Sequence, residues 1–266
     1  MDFESASQEL DAAMNDNAAD TVVIDAMGSY NGTSIAYNTE DMAVAGKING
    51  ALNFDVEYDP SYITTPLVYA GSGARTIAFW AKPQEQEATY GVAIEQGGGW
   101  DTGSVIRIPF SYQDSNPELQ GGIYLDFNNE SEFIPLTTPW NSERTPVYPA
   151  WYTDSPVSWL FSSVNSWHWY CIIVPAGGNI PDIEVYQDNI LQTRPSPITG
   201  TINTTSDTLT IGMDIDYARY YEGVLDDVRF YDEAIDAATR NFIWNGGNGT
   251  ETSLYSPPIA PIPGRR

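Results

Sequence analysis

Apolar and polar positions alternate along most of the chain in short runs that stop at Gly, Asn, Asp or Pro. That is the two-residue period of half-buried strands and not the 3.6-residue period of helices. The runs predict strands at residues 33–37, 48–54, 76–81, 91–95, 105–110, 123–127, 167–174, 183–186, 208–211 and 223–231. Many short strands separated by turn residues predict an all-β fold, a two-sheet antiparallel jelly-roll sandwich in which each strand gives one face to a shared core. Helical spacing emerges once, at residues 236–245 near the C-terminus. There Asp236 stands ready to cap the helix and Gly246 to take its left-handed exit, with Ile235, Ala238, Phe242 and Ile243 on one face. The glycines and prolines of residues 246–266 cannot continue a helix or a central strand, so the chain divides into a domain at 1–245 and a Gly/Pro-rich tail. Within the domain, the irregular stretch 135–166 combines five prolines with Trp140, Tyr148, Trp151, Tyr152, Trp159 and Phe161. So many aromatics predict a packed contact surface and not a free loop.

Charge narrows the functions. The chain has 266 residues with 36 acidic against 11 basic side chains, a net charge of −25. Such a surface repels phosphate backbones, which excludes nucleic acid as a partner. The carboxylate surplus reads as a solvated repulsive surface, as adaptation to salt, or as divalent-cation sites, with Asp214, Asp216 and Glu222 or Asp226, Asp227 and Asp232 as places to look. A single cysteine, Cys171, excludes an internal disulfide and a thiolate zinc cluster, and reads as a buried free thiol. His168, the only histidine, reads as a hydrogen-bonded, half-buried imidazole. No apolar run approaches the roughly 20 residues that cross a bilayer, so membrane insertion is not expected. The opening residues have neither a basic nor an apolar segment, so no secretion signal is expected. For that reason the Asn-x-Ser/Thr sequons at Asn31, Asn129, Asn203 and Asn248 carry no weight.

Several landmarks in order, Val23-Ile-Asp-Ala-Met-Gly28, Gly46-Lys-Ile-Asn-Gly-Ala-Leu-Asn-Phe54, Thr76-Ile-Ala-Phe-Trp80, Trp167-His168, Val185-Tyr-Gln-Asp188 and Gly223-Val-Leu-Asp-Asp-Val-Arg-Phe-Tyr231, resemble the laminin-G-like branch of the concanavalin A-like lectin/glucanase superfamily. The resemblance runs from about Leu10 to Trp244 and implies the same jelly roll. Met14-Asn-Asp-Asn17 and Trp244-Asn-Gly-Gly-Asn-Gly249 also resemble versions of the domain in phage and other viral structural proteins.

Retaining glycosidases of the superfamily carry a Glu-x-Asp-x-Glu run, because acid and nucleophile must flank one bond about 5–5.5 Å apart. This chain has none. Glu57-Tyr-Asp59 meets Pro60, Glu85 and Glu87 read as a turn, and Glu130 and Glu132 read as loop decoration, so no enzyme is expected. The resemblance implies a structural Ca²⁺ at Asp226, with oxygen ligands from Asp16, Asn17 and Asp25 in an N-terminal segment; the alternative is an aspartate hydrogen-bonded to backbone amides. Strict alternation places Asp226 with Val228 and Phe230 toward the core and Asp227 with Arg229 toward solvent. Glycan contact needs aromatic faces and polar edges, which Trp100 and Asp101 offer after Gly97-Gly-Gly99, as do Trp140, Trp151, Tyr152 and Trp159. In 135–166 these rings serve equally as a satellite core or a contact with a neighbouring subunit. The expectation is a non-enzymatic structural, decorating or adhesion module on a virion surface, or on another extracellular assembly, that also binds glycan. The alternatives are a carbohydrate-binding module of a secreted or cell-surface protein and a glycan hydrolase or lyase.

Overall fold

The apolar runs are rich in Val, Ile, Thr, Phe, Trp and Tyr, side chains that suit a pleated surface packed on one or both faces. In the computed structural model each of the ten predicted runs lies on a strand. It describes residues 8–54, 61–84, 91–97, 105–110, 122–127, 130–135, 166–194, 199–204, 208–214 and 219–251, with residues 68 and 105–135 by backbone alone. In chain order the strands are β1 (Gln8–Ala12), β2 (Val22–Val23), β3 (Gly32–Ile35), β4 (Ala43–Ala45), β5 (Gly50–Phe54), β6 (Tyr62–Val68), β7 (Arg75–Pro83), β8 (Gly91–Gly97) and β9 (Val105–Phe110). They continue with β10 (Gly122–Phe127), β11 (Glu130–Pro135), β12 (His168–Val174), β13 (Glu184–Gln187), β14 (Ile190–Leu191), β15 (Thr208–Ile211), β16 (Met213–Asp214), β17 (Arg219–Tyr220) and β18 (Gly223–Tyr231).

Two sheets result. The eight-stranded sheet runs β14-β13-β12-β7-β18-β5-β4, with β1 also paired to β18; the ten-stranded sheet runs β11-β10-β9-β8-β15-β6-β3-β2, with β16 and β17 attached at β8. Among the described residues, only the β17–β8 contact is parallel. The inner faces meet in one core that includes Leu52, Phe54, Ile63, Phe79, Ile94, Tyr170, Ile172, Leu209, Ile211, Leu225 and Phe230. Arg75 of β7 crosses between the sheets, donating to Gln96 Oε1 of β8 at 2.9 Å and to Thr204 Oγ1 at 2.8 Å.

The outer face of the eight-stranded sheet carries a second cluster around Trp80, Trp169, Cys171 and Tyr231. The helix α2 (Ala237–Trp244) covers it. Asp236 caps α2 as expected, its carboxylate accepting from Thr239 N at 2.8 Å. The left-handed exit begins one residue earlier than expected, at Asn245 (φ 46°), and continues at Gly246. Of the proposed helix face, Ile235 and Ile243 are buried, whereas Ala238 and Phe242 are exposed. Trp244 completes the contact instead, its ring stacked on Trp80 at 5.3 Å between centroids. A single-turn helix, α1 (Thr39–Met42), was not expected.

One irregularity turns Asp226 away from its expected face, while Val228 and Phe230 reach the core and Arg229 the opposite side, as expected. Asp226 opposes Trp80 and Arg229 opposes Ala78, so Asp227 and Val228 together stand against the one remaining residue of β7. This is a β-bulge, with Asp227 in the left-handed region at φ 50°. Leu225 and Val228 therefore both reach the core, and Asp226 shares the outer face with Trp80. Neither Asp227 nor Arg229 faces solvent: they are 1% and 0% exposed.

Candidate functional site

The ten-stranded sheet carries a polar row across its middle. Thr33 pairs with Thr64, Thr64 with Thr210, Thr210 with Glu95, Glu95 with Arg107, Arg107 with Asp126 and Asp126 with Ser131. Directly opposed residues share a face. Ile211 opposes Ile63 and Ile94, all three in the core, so Thr64, Thr210 and Glu95 next to them lie on the outer face. Both Glu95 and Thr210 are nevertheless buried, and the hydroxyl of Thr210 has no hydrogen-bond partner. A buried polar atom left unpaired is costly and asks for an explanation. Two strand spacings separate the register positions of Glu95 and Asp126, roughly 9–10 Å.

None of these residues stood out in the sequence. Glu95, Arg107 and Asp126 are each the single charged position of their strand, as in Val105-Ile-Arg-Ile-Pro-Phe110 and Gly122-Ile-Tyr-Leu-Asp-Phe127. That isolation was the available signal, and only the register joins the positions into a row. Glu130 and Glu132, expected on a loop, belong to β11 opposite Phe127 and Leu125.

A second polar centre lies on the outer face of the eight-stranded sheet. Arg229 Nε donates to Asp227 Oδ1 at 2.9 Å and stands 3.9 Å from Asp11 Oδ1, while Nη2 donates to the Thr250 carbonyl. Asp226 Oδ2 accepts from Ile48 N at 2.8 Å, and its Oδ1 is buried without a hydrogen-bond partner. Burial raises the carboxyl pKa values of Asp226 to about 8 and of Asp227 to about 6, and that of Asp11 in the same direction. Glu251, held by Asn15 and Asn49, adds a further carboxylate near Asp226.

The four residues expected to hold Ca²⁺ are differently disposed. Asp25 spends both oxygens on the amides of Asp11, Met27, Ser29 and Tyr30, at 2.9–3.0 Å, and so organises a turn. Asp16 accepts from Ile24 N at 3.0 Å, and with Asn17 it lines a cleft of about 250 Å³ beside β4. Among the described residues, Asp226, Asp16 and Asp25 form no group able to hold a metal ion. Of these four, Asp226 alone keeps a buried carboxylate oxygen without a hydrogen-bond partner.

Trp100, Asp101, Trp140, Trp151, Tyr152 and Trp159 lie outside the described residues. His168 Nδ1 sits 2.7 Å from Asp188 Oδ2 and is nearly buried, and Asp188 Oδ1 accepts from Trp169 N. The pair pins the start of β12 to the β13–β14 turn.

Two antiparallel sheets around one core, with polar centres on their outer faces, define a jelly-roll sandwich. Residues 58–239 match the laminin-G-like family model of the concanavalin A-like lectin/glucanases superfamily, and the chain belongs to that family. A comparison with curated proteins gives no match. Among solved structures, the chain is similar to domain 4 of AbnA, a GH43 extracellular arabinanase from Geobacillus stearothermophilus, in complex with arabinotriose. Identity there is 15%, with 93% of this chain and 100% of that domain covered, at a TM-score of 0.54. It is also similar to the receptor binding domain of botulinum neurotoxin D (12% identity, 91% of this chain, 53% of that one, TM-score 0.53). The binding domain of Paraclostridial Mosquitocidal Protein 1 gives 12% identity, 91% and 52% coverage, and a TM-score of 0.56. The chain thus spans about half of each toxin binding domain; at these identities the likeness shows the fold.

Proposed function

We propose that the chain is a non-enzymatic binding module that holds a glycan across the outer face of its ten-stranded sheet. The observation that carries this reading is the polar row that runs from exposed Thr33 and half-buried Thr64 to buried Thr210 and Glu95, hydroxyl and carboxylate groups in line at strand spacing. Sugar hydroxyls donate and accept in alternation, so such a row matches an oligosaccharide laid across the strands. The net charge of −25 favours neutral glycans over anionic ones. Support by analogy comes from an arabinanase domain solved with arabinotriose and from two toxin binding domains of the same fold.

The test is a glycan array followed by titration of the best neutral oligosaccharide. Thr210→Val and Glu95→Gln should each raise Kd at least about tenfold, equivalent to about 1.4 kcal/mol. Thr210→Val should leave melting unchanged or raise it, since it removes a hydroxyl with no partner. Unchanged affinity in both variants would sink the proposal. A second reading, a glycan hydrolase or lyase, keeps a buried carboxylate, Glu95, on the same row. Release of reducing ends from the bound glycan, abolished by Glu95→Gln, would establish it.

The setting we propose is extracellular display, on a viral particle or on another assembly whose subunits it contacts. The resemblance of residues 14–17 and 244–249 to viral structural proteins supports the viral form. Among the described residues no helix is long and apolar enough to cross a membrane.

Ca²⁺ belongs to the proposal at Asp226 only, where the unpartnered Oδ1 and nearby Glu251 are the oxygens that would hold it. The ion would offset the surplus of buried negative charge. Melting temperature should then rise with free Ca²⁺ and fall in chelator, as linkage requires, and Asp226→Asn should abolish that response. A melting curve indifferent to both would leave Asp226 as an aspartate bonded to the Ile48 amide.

A further inference from the structure

A cleft of about 350 Å³ opens at the mouth between the sheets, lined by Tyr37, Asp41, Met42, Asn53 and Ser61. It is assembled from parts distant in sequence. Tyr37 follows β3, Asp41 and Met42 belong to α1, Asn53 lies on β5 and Ser61 directly precedes β6. Met42 is buried, its Sδ accepting from Ser34 Oγ at 3.1 Å. Tyr37 packs its ring against the core and stays half exposed.

Ser61 makes this more than a surface dent. Its side chain is 1% exposed, lines the cleft, and its hydroxyl has no hydrogen-bond partner. A buried hydroxyl facing a cleft with nothing to bond is a group prepared for something that enters. Asn53 adds an amide whose Oδ1 accepts only a long, 3.5 Å bond from Gln84, and whose Nδ2 donates to no described residue. Asp41 contributes an exposed carboxylate at the rim.

From this set we infer a second binding site, for one ring of a neutral sugar. A hydroxyl and an amide that both donate and accept, a carboxylate that only accepts, and a phenol ring for C–H groups match the alternating faces of a sugar. A hard cation wants six to eight oxygens, and the cleft offers a single carboxylate. An anion meets Asp41 and the charge of the whole chain. The site rests on the glycan reading for its ligand class, yet it is built from residues separate from the polar row.

Saturation-transfer NMR with D-glucose, D-galactose, D-mannose and L-arabinose, each at millimolar concentration, tests it directly. At least one should receive saturation from the wild-type chain. Ser61→Ala and Asn53→Ala should each weaken that binding about tenfold or more while melting holds, and Thr210→Val should leave it intact. No transfer from any of the four sugars, or transfer untouched by both cleft variants, overturns the site. If the glycan array responds to Thr210→Val while the cleft fails in this way, the sheet-face reading survives alone. If the wild type binds neither oligosaccharides nor single sugars, both readings fall.

Discussion

A chain carrying Arg229→Met should lose about 3–5 kcal/mol of stability, because it strands buried carboxylates without their one buried guanidinium. Methionine keeps most of the apolar stem, so the loss reports charge more than volume. In wild type, burial works against the Arg229 charge, but Asp227 and Asp11 beside it more than compensate and hold its pKa above the ordinary value. The check is denaturant unfolding in chelator, with a lower midpoint and an unchanged slope. The pH dependence carries the diagnosis. Burial raises the Asp227 pKa from 3.8 to about 6 even with Arg229 present. Between those values the folded chain binds more protons than the unfolded one, so this contribution to stability is complete below 3.8 and declines as pH rises through about 6. Without the guanidinium the window extends upward. The deficit of the variant should therefore shrink toward pH 5 and grow toward pH 8. A deficit that ignores pH would mean that lost packing, and not stranded charge, destabilises it.

Trp80→Ala should be comparably damaging, at about 3–5 kcal/mol. Trp80 is 1% exposed at the centre of the outer cluster, stacked on Trp244 and capped by Lys47 Nζ at 4.8 Å from the ring. Its loss removes the surface on which α2 and residues 244–250 are seated. Hydrogen exchange should show amides of α2 losing protection first, while the β12–β7 ladder keeps its order at the same denaturant concentration. A uniform loss of protection would mean that α2 and the sandwich form one cooperative unit.

Legibility in the sequence followed the range of the interaction. Two-residue alternation located ten strands and their sandwich, since burial of one face is written into adjacent residues. β1 escaped because Gln8-Glu-Leu-Asp-Ala12 does not alternate, and β6 because Pro66 interrupts a run of threonines. The bulge at Asp227 escaped for a subtler reason. Nothing in Leu225-Asp-Asp-Val228 announces an extra residue, and one extra residue exchanges the faces of all that follow. For the same reason Asp226 is expected on the core side and lies on the outer one, whereas Arg229 takes its expected side but is covered there. The polar row was least legible: Glu95, Arg107, Asp126 and Thr210 become neighbours through pairing between strands far apart in the chain, which no local pattern encodes.

Cys171 gives this fold an internal clock. It lies in β12 between Ala78 of β7 and Tyr186 of β13, fully buried beneath the tryptophan cluster. Burial pushes its thiol far above the ordinary value, so the reactive thiolate is suppressed while the strands remain paired. A thiol reagent can modify it only when the cover that α2 and Trp244 form over the outer cluster lifts, or when the sheet itself comes apart. Because the chain has no second cysteine, the modification rate counts those openings without background. The time that cover stays shut in the presence of calcium, sugar or a partner can thus be read from one unengineered atom.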